Sequence, residues 1–219
     1  MGRRGTRKAA RSLRKIYKRL YEKLGPQHWW PGDTPFEVMI GAILTQNTSW
    51  SNVEKAIENL KKDNLLSPAK MQSLTKKRLA RIIKPSGFFN VKAVRIISFL
   101  GYLKKRYKNN ISAMKRRAPG RLRAELLSVK GIGRETADSI LLYALGKPVF
   151  VVDAYTKRIL SRHGLAGADW DYDDLQRLFA DNLPRDSRLY NEYHALIVSA
   201  GKNYCRPGNP KCGACPLGN

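Results

Sequence analysis

The sequence predicts an all-α fold, and three observations carry that expectation. Apolar residues recur at helical spacing through most segments, no stretch alternates as a strand would, and the breaks read as helix ends, such as Thr34-Pro35, Ser67-Pro68 and Gly146-Lys147-Pro148. At 219 residues and 42% hydrophobic, the chain can bury a core as one domain or as two small lobes.

Residues 3 to 23 carry ten Lys and Arg against the single acid Glu22. From Leu13 to Leu24, the residues Leu13, Ile16, Tyr17, Leu20 and Leu24 share one helical face, so the latter part docks as a helix and the first ten residues form a loose basic tail. Thr34-Pro35-Phe36-Glu37 starts the next helix: threonine caps, proline suits the first turn, and glutamate three residues on completes a capping box. Val38 to Leu44 is apolar all round, which means deep burial. Val53, Ala56, Ile57 and Leu60 mark a third helix, Ser67-Pro68 opens a fourth, and Val91 to Tyr107 is long and amphipathic. After a loop at Ala118-Pro119-Gly120, helical pattern occupies Leu122 to Val129, breaks at Gly131-Ile132-Gly133 and resumes from Thr136 to Leu145. Phe150-Val151-Val152 is β-branched but too brief for a sheet of its own. Helices over Tyr155 to Arg162, Tyr172 to Asp181 and Tyr190 to Lys202 complete the chain.

Charge narrows the function. Lys plus Arg number 42 against 17 Asp plus Glu, a formal charge of +25. That imbalance gathers polyanions and supports salt-sensitive phosphate binding, so nucleic acid is the expected partner, ahead of a ribosome-bound or membrane-surface role. No apolar run is long enough to span a bilayer, and Met1-Gly-Arg-Arg lacks the apolar stretch of a secretory signal; a cytoplasmic protein without membrane contact is expected. The three cysteines all lie in the last fifteen residues and do not read as a scattered disulfide framework.

Lys130-Gly131-Ile132-Gly133-Arg134-Glu135-Thr136 is the most specific motif. Two glycines one residue apart allow a tight turn and expose backbone N–H groups at a helix start, where an anion is favoured. Lys130, Gly131, Gly133, Arg134 and Thr136 would hold a DNA phosphate; the plainer alternative is a helix–turn–helix corner in which glycine only caps. Asp153, before Ala-Tyr-Thr-Lys, reads by itself as a helix N-cap.

Joined with Gly146-Lys147-Pro148-Val-Phe-Val-Val-Asp153-Ala-Tyr155, this segment resembles the helix-hairpin-helix of the endonuclease III superfamily of base-excision DNA glycosylases, and the resemblance runs from the helix at Phe36 to the cysteine tail. It implies two helical lobes with a cleft between them. Residues 1–32 would be a basic helix packing with the C-terminal lobe, 33–135 a six-helix lobe ending in the hairpin, and 136–219 the C-terminal lobe with its cysteine-rich tail. Asp153 matches the family's catalytic aspartate. Breaking an N-glycosidic bond builds positive charge on the sugar, which a fixed carboxylate stabilises while orienting water. Gln46 matches the residue that fills the gap left by an extruded nucleotide. The partner implied is double-stranded DNA containing a damaged base, bound by a monomer in a prokaryotic, nucleoid-associated setting.

Subclass follows from departures. Bifunctional members carry a Schiff-base lysine where this chain has Glu135, so a monofunctional enzyme with little strand cutting is expected. Adenine glycosylases carry a glutamate where Ala42-Ile43 stands. His28-Trp29-Trp30-Pro31, Thr48-Ser49-Trp50 and Lys84-Pro85-Ser86-Gly87-Phe88-Phe89-Asn90-x-Lys92 resemble the type III 3-methyladenine glycosylases. There Trp29, Trp30 and Trp50 would stack on a cationic alkylpurine, with Tyr155 and Lys92 as further pocket residues; tryptophans of the core are the plainer reading. A uracil or thymine mismatch glycosylase, a bifunctional glycosylase/lyase and a non-catalytic DNA-binding module are the alternatives. Cys205, Cys212 and Cys215 reproduce the first three ligands of the family's [4Fe–4S] loop, but the sequence ends at Asn219 before a fourth. A cluster completed by a foreign ligand, a three-iron or zinc site, or a metal-free tail all follow, and the chemistry requires none of them.

Overall fold

Seven helix starts among the described residues are set by side chains that satisfy first-turn N–H groups. Thr34, Ser67, Thr75, Asn110, Asp153, Asp171 and Asp186 each accept from a backbone N–H of the helix that follows. The computed structural model describes residues 3–167 and 169–218, with side chains from Arg7 onward. Among them are twelve α-helices and no strand. They are α1 (Arg3–Leu24), α2 (Pro35–Leu44), α3 (Trp50–Lys62), α4 (Pro68–Gln72), α5 (Lys76–Ile82), α6 (Phe89–Tyr107), α7 (Ile111–Lys115), α8 (Pro119–Leu127), α9 (Arg134–Ser139), α10 (Ala154–Arg162), α11 (Tyr172–Asn182) and α12 (Ser187–Asn203). None of the helices described is long and apolar enough to cross a membrane.

Four local expectations change. The basic tail is helical from Arg3, because Ala9 extends the buried stripe of Leu13, Ile16 and Leu20 by one turn. The capping box at Thr34 is half formed. Thr34 accepts from the Glu37 N–H at 3.1 Å, but the Glu37 carboxylate takes the Asp33 N–H at 3.2 Å and pairs with Lys61 at 2.8 Å. Ala118-Pro119-Gly120 is a helix start rather than a loop, with Pro119 in the first turn of α8. α5 and α7 are helices the periodicity did not announce.

The chain divides into two units, Met1–Trp30 with Pro148–Asn219, and Pro31–Lys147. In the first, α1 packs on α11 and α12, and α10 on α12. Its centre is aromatic: the Phe150 ring stacks on Phe179 at 3.6 Å, meets Tyr190 and Tyr193 edge-on at 5.4 and 6.0 Å, and the Tyr193 hydroxyl donates to the Leu13 carbonyl at 2.8 Å. In the second, α2 is buried from Phe36 to Leu44 and packs against α3, α6, α9 and the π-helical turn Ile140–Ala144 that continues α9. The hairpin's second helix therefore lies within this unit, which runs to Lys147.

Candidate active site and nucleic-acid interface

Asp153 is delivered by an extended segment whose backbone is satisfied without a sheet. The Phe150 carbonyl accepts from Gln176 at 2.6 Å, and the Val152 N–H donates to the Tyr172 hydroxyl at 3.3 Å. With Phe150, Val151 and Val152 buried, the chain is anchored where it turns into α10. There Asp153 Oδ1 accepts from the Thr156 N–H at 2.7 Å and the Thr156 hydroxyl at 2.8 Å. Its side chain is 12% exposed, and Oδ2 lies 3.7 Å from Nε2 of the buried His194. Burial pulls the His194 pKa down and Asp153 pulls it back up, the burial being the larger effect. A carboxylate held through one oxygen keeps acceptor capacity on the other for water or a developing cation. Capping and that chemistry are compatible in one residue.

The hairpin and Gln46 form one network. Gln46 Nε2 donates to the Gly131 carbonyl at 3.0 Å and the Thr136 hydroxyl at 2.8 Å, and Arg95 donates to Gln46 Oε1. Lys130, Gly131, Gly133 and Arg134 are exposed at the turn, as phosphate contact requires, and so is Glu135. Thr136 is not: it is buried and engaged with Gln46, so its role in phosphate contact gives way to one in holding Gln46. Gly131 has φ +90°, and a Cβ there would lie 2.3 Å from Cγ of Arg95. Gly131→Ala is accordingly expected to destabilise the protein by about 1–3 kcal/mol, seen as a lower urea midpoint at unchanged slope. Beneath the turn, Arg123 grips the fully buried Asp138 through two bonds of 2.7 and 3.0 Å, bracing α8 against α9.

Of the expected pocket residues, Trp29 and Trp30 lie together in the first unit, ring centroids 5.0 Å apart. Trp50 belongs to the second, its indole N–H donating to Glu54 at 2.6 Å. Two others are engaged with their own surroundings. Tyr155 lies against Gly201 of α12 with Arg158 over its ring at 5.0 Å. Lys92 is 1% exposed, and its Nζ donates to the carbonyls of Leu44 at 2.7 Å and Ser86 at 2.6 Å. Burial, with the Arg95 charge adding to it, lowers its pKa to about 8. It clamps the end of α2, just before Gln46, to the loop just before Phe88. Phe88 is 68% exposed and sits at φ 44°, a left-handed conformation unusual for a bulky side chain. Sequence reasoning noted this exposed, strained aromatic on a clamped loop only as part of a motif. Arg95 and His194 were missed altogether.

The three cysteines do not fit a cluster as arranged. Cys205 is buried with its Sγ accepting from Arg162 at 3.2 Å, Cys212 is exposed, and Cys215 Sγ accepts from the Leu217 N–H at 3.4 Å. Among the described residues no three His, Cys, Asp or Glu side chains group as a metal site. The tail is instead tied down by Arg162 to the carbonyls of Arg206 and Pro207, and by Arg19 to that of Gly218.

Comparisons agree with this geometry. Residues 40–185 match the family model of the HhH-GPD superfamily base excision DNA repair proteins. A protein of Methanocaldococcus jannaschii, provisionally named a DNA repair glycosylase, is 48% identical over 93% of this chain and 92% of its own length. Endonuclease III of Thermotoga maritima is 31% identical over 84% and 81%. The solved structure of H. pylori 3-methyladenine DNA glycosylase (MagIII) bound to 1,N6-ethenoadenine superposes with a TM-score of 0.76 at 32% identity, covering 89% of this chain and 97% of that one. With Asp153 capping a helix after a glycine hairpin, and a family match spanning most of the sequence, the chain belongs to the HhH-GPD superfamily of base excision DNA repair proteins, among its DNA glycosylases.

Proposed function

We propose that this glycosylase is monofunctional and hydrolyses the N-glycosidic bond of an alkylated purine resembling 3-methyladenine, acting as a monomer on damaged duplex DNA in a prokaryotic cytoplasm. The observation that carries the reading is a carboxylate at Asp153 held by Thr156, in a chain whose hairpin offers Glu135 where an attacking amine would stand. Lys130, Gly131, Gly133 and Arg134 grip a phosphate beside the lesion. Gln46 and Phe88 enter the duplex as the damaged nucleotide leaves it, offsetting lost stacking. Trp29 and Trp30 receive the flipped base, whose positive charge favours an electron-rich ring face. The C1′–N bond breaks towards an already activated leaving group, so no strong general acid is needed. Asp153 stabilises the oxocarbenium-like sugar and orients the water that completes the abasic product. Likeness to an enzyme solved with 1,N6-ethenoadenine supports the purine preference.

A panel of duplexes carrying an alkylated purine, uracil or a thymine mismatch, scored by released base, tests this directly. Release is expected from the alkylated purine alone, with no DNA adduct trapped by borohydride. Release confined to uracil or thymine would replace the reading with a mismatch glycosylase, and a trapped adduct would make the enzyme bifunctional.

A further inference from the structure

We propose that His194 is a positioning residue for Asp153, a neutral donor that fixes the second carboxylate oxygen in its reactive orientation; this rests on Asp153 being the group beside the sugar. Geometry is the ground for it. Asp153 Oδ1 is held from the first turn of α10 by both donors of Thr156, while Oδ2 points to α12, where His194 Nε2 lies 3.7 Å away. One oxygen fixed and the other faced by a second donor leaves the carboxylate plane little freedom. The separation is too long for a hydrogen bond, and catalytic bonds commonly tighten only when substrate is seated.

His194 itself cannot turn away. Its ring meets Phe150 edge-on at 6.2 Å, and Phe150 is locked into the stack with Phe179. The register of α12 on α10 is set where Tyr155 lies against Gly201 and Arg158 donates to the carbonyls of Cys205 at 2.6 Å and Gly201 at 3.3 Å. His194 is therefore pinned independently of the carboxylate that it faces.

Charge decides why a neutral ring serves here. Asp153, at the cap of α10, is the charged group facing the imidazole. From its own helix Tyr190 and Tyr193 are phenols whose pKa values burial raises, so they add no charge at neutral pH. Burial favours the unprotonated imidazole over the cation, which leaves the carboxylate for the sugar. An imidazolium in the same place would pair with Asp153 and cancel the field that the oxocarbenium needs.

His194→Phe keeps the bulk and removes the donor; His194→Gln restores an N–H at comparable reach. Single-turnover release from an alkylated duplex is expected to fall about a hundredfold in His194→Phe, the scale of a misplaced catalytic group. Affinity for a duplex with a tetrahydrofuran abasic analogue is expected to stay unchanged. His194→Gln is expected to recover most of the rate. It should also show a shallower acid limb in its pH–rate profile, because glutamine cannot take up the proton that would turn the imidazole into a cation beside the carboxylate. A wild-type rate in His194→Phe beside an inactive Asp153→Asn control overturns this inference alone, and an active control overturns the reading beneath it. An unchanged acid limb in His194→Gln also overturns it, and needs only the milder variant to fold.

Discussion

Asparagine at position 153 is expected to slow base release about a thousandfold, the upper range for removing one preorganised electrostatic group. The substitution separates two functions of one side chain. Its amide oxygen still accepts from the Thr156 N–H, and asparagine caps helices as well as aspartate does, so α10 stays in place. What disappears is the net negative charge and the ability to accept a proton from water. Binding to damaged duplex should persist, and tighten somewhat, since removing an anion lessens repulsion of a polyanion. Single-turnover release and duplex affinity, measured side by side, check both halves. Wild-type release from the variant would take Asp153 out of the reaction.

Lys92→Met is expected to cost about 3 kcal/mol of stability. The methionine fills the space, but the carbonyls of Leu44 and Ser86 lose their donor inside the protein, at about 1–3 kcal/mol for each group left unsatisfied. For a chain of this size that lowers the melting temperature by roughly 6–12 °C. The sign of the pH dependence is opposite to that of a surface ion pair. The folded pKa, about 8, lies below the ordinary value of 10.5, so between them the unfolded chain binds the extra proton. Wild-type stability from this group therefore rises as pH climbs through that window, and Lys92→Met lacks the rise. Melting curves at neutral and alkaline pH check both the size and the sign. A shift under 2 °C would mean that the two carbonyls find other partners.

Much of the fold was legible because it rests on local rules. α2, α3, α6, α10, α11 and α12 follow from apolar spacing and caps that need no tertiary context. α5 and α7 span seven and five residues, too short for periodicity to register, although Thr75 and Asn110 were capping residues in plain view. The site divides the same way. Asp153 and the hairpin glycines belong to contiguous motifs. Arg95 meets Gln46 across 49 residues and His194 meets Asp153 from another helix, pairings that only the folded chain makes. Lys92 had a readable signal that went unused. It stands on the inner stripe of α6 with Ile96, Phe99 and Leu103, where a lysine must find acceptors. The placement of Tyr155, whose ring lies against Gly201 of α12, is likewise one that only the folded chain makes.

If Gln46 enters the duplex as proposed, the bonds that hold it set a threshold on interrogation. A side chain tethered to a carbonyl, a hydroxyl and a guanidinium must release them before it can occupy a gap in the double helix. Sound base pairs, stacked firmly on both sides, return nothing for that release, whereas a weakened lesion yields space at little expense. Under the proposed function, discrimination would then begin before any base is received, in the reluctance of one amide to leave home.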